Sequence, residues 1–278
     1  MIRSTITQMK TRIPNSNLVV TVGLIAMAFA IGRFVFAADQ KQARVTEVIR
    51  DVRLLAGQAA ARHAAVNETV HEGTAVRTGT DSRAELTFPD LTLTRLGANT
   101  VFSFGAGART YDLGSGAILM SAPKDAGKVK ISTAVATCAV SGFTAVIEGH
   151  KNNWNKVLVY EGDGTVTLNK NPGDPRQMHS WQILIFRPDA TVLPQPQDFN
   201  VCSAISNGLL ITGFKNPLPS MPELVAECEK QKTQPGITNL IDPTSQDVTD
   251  QNVNARPMME SSPPPRSTIP PESRPRRP

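Results

Sequence analysis

Ser121 and Lys124 stand three residues apart in Ser-Ala-Pro-Lys, the spacing at which a lysine one helical turn on can activate a serine nucleophile. That chemistry needs a helix beginning at the serine, with companion Ser-Asp-Asn and Lys-Thr-Gly elements. The chain contains neither companion, and Pro123 with its strand-like surroundings opposes a helix. The four histidines, His63, His71, His150 and His179, are spaced in no metal-binding pattern and read as scattered surface residues. Of the three cysteines, Cys138 sits in a run of small and branched residues and reads as a small buried hydrophobe. Cys202 and Cys228 fall in two candidate helices, where they could bridge in an oxidising compartment or remain thiols. No Cys-x-x-Cys is present, so a zinc ribbon or thioredoxin-like site is excluded.

Glu161, Asp163 and Gly164 lack the Asp-x-Asp-x-Asp-Gly run and terminal Glu of a calcium loop, and read more simply as a hairpin turn. Arg77, Arg83, Arg95 and Arg109 lie on or beside strands. They could form an anion-binding stripe, but solvated strand faces paired with Asp81, Glu85 and Asp90 are the preferred reading. Asn67-Glu68-Thr69 has the form of a glycosylation sequon. No G-x-S-x-G, P-loop or dinucleotide fingerprint occurs. The sequence therefore assigns no catalytic residue, no cofactor-binding residue and no metal ligand, and a non-enzymatic protein without cofactors is expected.

The elements that would carry these residues are short and β-rich. Expected strands are 43–55, 75–78, 84–88, 91–95, 101–104, 109–113, 117–121, 129–133, 136–140, 144–148, 156–160, 165–168 and 182–186. Turn signals separate most of them, notably Gly114 to Gly116, Gly162 to Gly164 and Asn171 to Asp174. Ala84, Leu86 and Phe88 alternate with Glu85 and Thr87. Leu91 and Leu93 then alternate with Thr92 and Thr94 after Pro89-Asp90, which predicts a hairpin with one buried face. Val129, Ile131 and Thr133 against Lys128 and Lys130 mark a strand with one wet face. After a proline-containing linker, Asp198 reads as the cap of a first short helix that ends at Gly213. Ser220 and Glu223 read as a capping box for a second. The expected fold is all-β, followed by two short helices packed on the β-domain and a disordered Pro-rich tail.

Of the formal charge of +5, four positive charges (Arg3, Lys10, Arg12 and Arg33) lie in the first 38 residues, which contain no acid. The remainder carries about +1, with a further basic excess after Asn254, so the body lacks the dense basic face that nucleic acid requires. The basic leader and the apolar run Leu18 to Ile31 read as an export signal. Two outcomes stay open: cleavage after Ala37, or retention of Leu18 to Ala38 as an inner-membrane anchor. Either places the rest of the chain in the periplasm or cell envelope. The expected organisation is a signal peptide or membrane anchor at 1–38, a β-domain at 43–190, a linker with short helices at 191–232 and a tail at 233–278.

The block Val70 to Phe88 (V-x-x-G-T-A-V-R-T-G-T-D-S-R-A-E-L-T-F) resembles the FecR domain of extracytoplasmic iron-citrate signalling regulators and of other envelope proteins. In order, Leu91 to Thr94, Leu113 to Leu119, Ile131 to Ile147 and Val157 to Val166 resemble its later strands. Leu209 to Leu224 is similar to a tail seen after the domain, so the resemblance spans Val45 to Glu229. Two departures stand out: the family's Asp-Gly-Ser turn is Asp90-Leu91-Thr92, and its Gly-Thr is Gly142-Phe143-Thr144. The resemblance implies a β-solenoid or prism of short strands, here without the family's cytoplasmic anti-sigma domain. It also implies a non-enzymatic module that binds an envelope protein or polymer. The alternative is a membrane-anchored signal-transduction component relaying the state of an outer-membrane receptor to a separate sigma or anti-sigma partner. A hydrolase built on Ser121 is the third class and the least supported.

Overall fold

The computed structural model describes residues 41–105, 109–150, 152–234 and 240–244. The expected leader at 1–38 and the tail from residue 245 lie outside the described residues. The strands are β1 (Gln42–Ile49), β2 (Val52–Ala56), β3 (Arg62–His63), β4 (Thr69–His71), β5 (Thr74–Thr78), β6 (Arg83–Thr87), β7 (Leu93–Leu96) and β8 (Val101–Phe104). They continue with β9 (Thr110–Ser121), β10 (Lys128–Thr133), β11 (Ala136–Gly149), β12 (Asn155–Leu168), β13 (Asn171–Met178), β14 (Gln182–Phe186) and β15 (Gln197–Asp198). Three helices follow: α1 (Val201–Asn207), α2 (Leu209–Thr212) and α3 (Met221–Thr233). None of these helices is long and apolar enough to cross a membrane.

The strands join one 15-stranded sheet whose main path, β15-β14-β12-β11-β10-β9-β7-β6-β1-β4, does not close on itself. Long strands fold this sheet into two halves. The start of β9 pairs with β8 and, in parallel, with β10, whereas Gly116 to Ser121 pair with β11 and, over their last four residues, with β7. In the same way β12 pairs with β14 through Asn155 to Val159 and with β13 through Gly164 to Leu168. Alternate residues from both halves fill a common core, among them Leu86, Ile118 and Val157 from one and Phe102, Tyr111 and Ile131 from the other. Each such large side chain stabilises the fold by about 1.5–3 kcal/mol on burial.

A second apolar cluster lies on the outer face of the half formed by β7, the ends of β9 and β11, the start of β12, and β14. Leu119, Val146, Leu158, Tyr160 and Ile183 are covered there by Phe199, Val201, Ala204, Ile211, Leu218 and Leu224. Burial on both faces explains why Val157 to Tyr160 and Ile183 to Phe186 are continuous apolar runs and not alternating ones. Over the other half the outer face stays open, with Arg77, Lys128, Lys130 and Ala139 exposed.

The all-β expectation holds in outline, and the Val129 and Ile131 alternation faces the core as read. Several details differ. The strand expected over 43–55 is two strands, broken where Arg50 adopts a φ of 62°. Gly114 to Gly116 and Gly162 to Gly164 are not turns between strands but lie inside the continuous strands β9 and β12, Asn171 to Asp174 belong to β13, and the strands expected at 136–140 and 144–148 are one strand, β11, with an irregularity at Gly142. Glycine is required at Gly162, where φ is 87° and a Cβ would lie 2.5 Å from the Gly142 carbonyl oxygen. In the expected hairpin the second arm is inverted: Thr92 and Thr94 are buried, while Leu91 is 72% exposed.

The helical layer contains three helices where two were expected. Asp198 ends β15, and Asn200 caps α1 instead, its side chain accepting from the Ser203 N–H at 3.0 Å. Gly213 does end a helix, α2. Ser220 precedes α3 but makes no side-chain cap; its Oγ accepts from Thr144 Oγ1 at 3.0 Å.

Candidate functional site

Ser121 and Lys124 do not form a catalytic pair. Ser121 lies on β9, buried, with its Oγ 3.0 Å from Thr144 Oγ1. Lys124 turns to Glu161, Nζ to Oε1 3.1 Å, and that carboxylate holds the ammonium above its ordinary pKa, the opposite of what a general base needs. The histidines are dispersed: His63 lies near Asp51 (3.5 Å), His179 pairs with Asp163 (2.7 Å), and His150 meets the edge of Trp154. Among the described residues no three His, Cys, Asp or Glu side chains gather as metal ligands. Burial pushes the Cys138 thiol up to about 12, so it packs as a small inert hydrophobe. Cys202 and Cys228 form a disulfide joining α1 to α3.

The four arginines depart most from the solvated stripe expected of them. Arg77 is exposed, but Arg109 is largely enclosed, with its Nη2 2.7 Å from Asp90 Oδ2. Arg95 is fully buried and lies under the helical layer. Its Nε donates to Glu85 Oε2 at 2.9 Å, and Glu85 Oε1 in turn accepts from Thr46 Oγ1 at 2.8 Å. The remaining donors of the guanidinium reach the backbone of a loop: Nη1 to the Leu210 and Ile211 carbonyls at 3.1 and 3.2 Å, and Nη2 to the Asn216 carbonyl. Phe214 lies over the guanidinium, 4.4 Å from its centre to the ring centroid. On either side Arg83 Nε donates to the Gly213 carbonyl (3.3 Å), and Glu47 Oε2 accepts from the Lys215 N–H (3.1 Å).

This polar groove on β1, β6 and β7 satisfies the carbonyls that a four-residue helix leaves unpaired at its C-terminal end. It binds a loop mainly by its backbone. The sequence grouped the four arginines with Asp81, Glu85 and Asp90, but the specific pairing of Glu85 with Arg95, its burial and the roles of Thr46 and Glu47 were not legible there.

Beside the groove a cleft of about 350 Å³ opens between the sheet and α2. Gly97, Gly116, Val146 and Leu158 line it, and Leu209 stands at its rim, 62% exposed. Within it Lys156 Nζ bridges Glu148 Oε1 (2.9 Å) and the Pro243 carbonyl (2.8 Å). Burial, with the Glu148 charge adding to it, pushes the Tyr160 hydroxyl pKa well up. Nothing in the spacing of Glu148, Lys156 and Tyr160 singled them out, because adjacent strands and the tail bring them together.

The family model described as FecR protein matches residues 74–163, the stretch from β5 into β12. The FecR resemblance read from the sequence is borne out over that segment, which is narrower than Val45 to Glu229. Two crystal structures of a "putative anti-sigma factor" from Parabacteroides distasonis ATCC 8503 are similar at 15% sequence identity and a TM-score of 0.42. The similarity covers 48% of this chain, and the chain spans 65% and 64% of the length of those structures. No curated protein matches the chain.

Proposed function

We propose that this protein is a FecR-like module of a signalling route in the cell envelope, without chemistry of its own, which acts by binding an envelope protein or polymer. The observation that carries this reading is the FecR match on residues 74–163, because those strands supply most of the outer face that the helices leave open. Lys128 and Lys130 on that face are exposed and make no ion pair among the described residues, which leaves them available to a partner. The disulfide between Cys202 and Cys228 supports an oxidising compartment, and the apolar leader supports export. Passage of successive strands from one half of the sheet to the other supports reading the domain as a short two-sided solenoid.

The test is recovery of partners from membranes with the tagged full chain, beside a Lys128→Glu/Lys130→Glu variant, with the N-terminus read by mass spectrometry. One envelope component, retained by the native chain and lost by the variant, is expected. Identical recovery by both chains, or only cytoplasmic partners, would sink the reading. An intact N-terminus would favour the second reading, an anchored relay to a sigma or anti-sigma partner. An N-terminus beginning at Ala38 would favour the exported module.

A further inference from the structure

The loop from Leu209 to Asn216 closes one helical turn on itself, Gly213 N–H to the Leu209 carbonyl at 3.0 Å, and is otherwise held from outside. Its helix α2 has only four residues between Gly208 and Gly213, too few to persist alone. Four of its carbonyls and one N–H are bound by Arg83, Arg95 and Glu47, Phe214 lies against the Arg95 guanidinium, and Ile211 and Leu210 pack in the second apolar cluster. The groove, by contrast, is fixed without the loop. Glu85 and Arg95 are direct cross-strand partners on β6 and β7, and Thr46 on β1 holds the second Glu85 oxygen. Preformed donors aimed at backbone carbonyls, with one aromatic position, are the chemistry of a peptide-recognition site.

The loop also lies inside the ring closed by the Cys202–Cys228 disulfide, which spans 26 residues. That bond confines the loop to its own groove. We propose that the β1–β6–β7 groove is a binding site for a short peptide segment that forms one helical turn followed by a loop bearing one aromatic residue. Residues 209–216 are its built-in occupant, and once the disulfide is reduced the same segment of a second copy of this chain takes their place. Reduction requires a dithiol: it delivers two electrons and two protons, the bond between the sulfurs breaks, Cys202 and Cys228 become thiols, and the reductant leaves as its own disulfide. Opening the ring lowers the effective concentration of the loop at its own groove, so an identical segment from outside competes by mass action. This site is independent of the partner proposed for the open face.

A fluorescent peptide of residues 208–217 tests it by anisotropy against the full chain, oxidised, reduced, and as Cys202→Ser/Cys228→Ser. Binding at least tenfold tighter to the reduced and serine chains than to the oxidised one is expected, and the peptide with Phe214→Ala should bind at least tenfold more weakly. The reduced chain should dimerise with concentration, and excess peptide should return it to monomer. Near-UV circular dichroism of the reduced native chain establishes that the fold persists if the serine chain does not fold. An Arg83→Ala chain, which leaves the buried pair intact, should bind the peptide more weakly. Equal binding to oxidised and reduced chains, binding to neither, or a reduced chain that stays monomeric at every concentration would each overturn the proposal.

Discussion

Glu85 and Arg95 face each other directly across β6 and β7, joined Oε2 to Nε at 2.9 Å, with side chains only 4% and 0% exposed. A charge pair so deeply buried costs desolvation energy that is recovered only if every remaining donor and acceptor is met. Most are met here: Thr46 holds the second carboxylate oxygen, and the loop carbonyls of Leu210, Ile211 and Asn216 take three of the four remaining guanidinium N–H groups. The pair therefore fastens the helical layer to the sheet, and neither partner can be removed alone without stranding the other.

Arg95→Ala leaves Glu85 buried without its counter-charge and three carbonyls without donors. Urea unfolding should show a loss of about 3–5 kcal/mol. The paired change Glu85→Gln/Arg95→Met removes both charges at similar volume, and should cost much less than the single change. A single variant that loses under about 1 kcal/mol would mean the pair is hydrated in solution.

The cysteines should divide into two classes. In the oxidised native protein, iodoacetamide should label none of them, because Cys138 is buried with its thiol pushed up to about 12 and the other two are bonded. Unfolding without reductant should release one reactive thiol, and unfolding with reductant three. Closing a loop across 26 residues should stabilise the chain by about 3.5 kcal/mol relative to Cys202→Ser/Cys228→Ser. Native labelling of Cys138 would show that the core opens there.

The strands were legible wherever one face meets water, because only then does the pattern alternate; Val129 and Ile131 against Lys128 and Lys130 are the clear case. They were misread at Gly116 and Gly162. Positive φ serves a hairpin turn and a bend inside a long strand equally well, and only the pairing partner across the sheet decides between them. The site was harder for a related reason. Arg95 and Glu85 alternate with apolar neighbours as solvated residues do, and what buries them is a loop more than a hundred residues later in the chain. The apolar loop itself, with Leu209, Leu210, Ile211 and Phe214 close together, was the available signal that something covers a sheet face.

Leu91 occupies a left-handed turn with φ 66° while its side chain is 72% exposed, so it bears the backbone cost without the compensation of burial. That cost is about 1–2 kcal/mol for a residue with a Cβ. Glycine removes it, at an entropic cost of about 0.5–1 kcal/mol from the more flexible unfolded chain. Leu91→Gly should therefore raise stability by about 0.5–1 kcal/mol, seen as a higher urea midpoint at unchanged slope. A lower midpoint would show that the leucine side chain makes a contact that its exposure conceals.

Glu68 should contribute to the acid limb of stability. Burial alone pushes its carboxyl up, but the Ala65 N–H at 3.0 Å and the guanidinium of Arg62 outweigh burial, so its pKa falls below the ordinary value of 4.5. Because the folded state holds the proton less tightly than the unfolded chain, the carboxylate stabilises the fold fully above pH 4.5. That contribution disappears as pH falls through the lowered folded value. Glu68→Gln should accordingly be less stable than the native chain near neutrality, and the gap should close on acidification. Asp51, held low by its hydrogen bond to Arg53, titrates in both chains and cancels from the difference. Unfolding curves collected from pH 7 down to about pH 3 give the comparison. A gap that stays constant with pH would mean that Glu68 acts through packing of the turn at Asn67 and not through its charge.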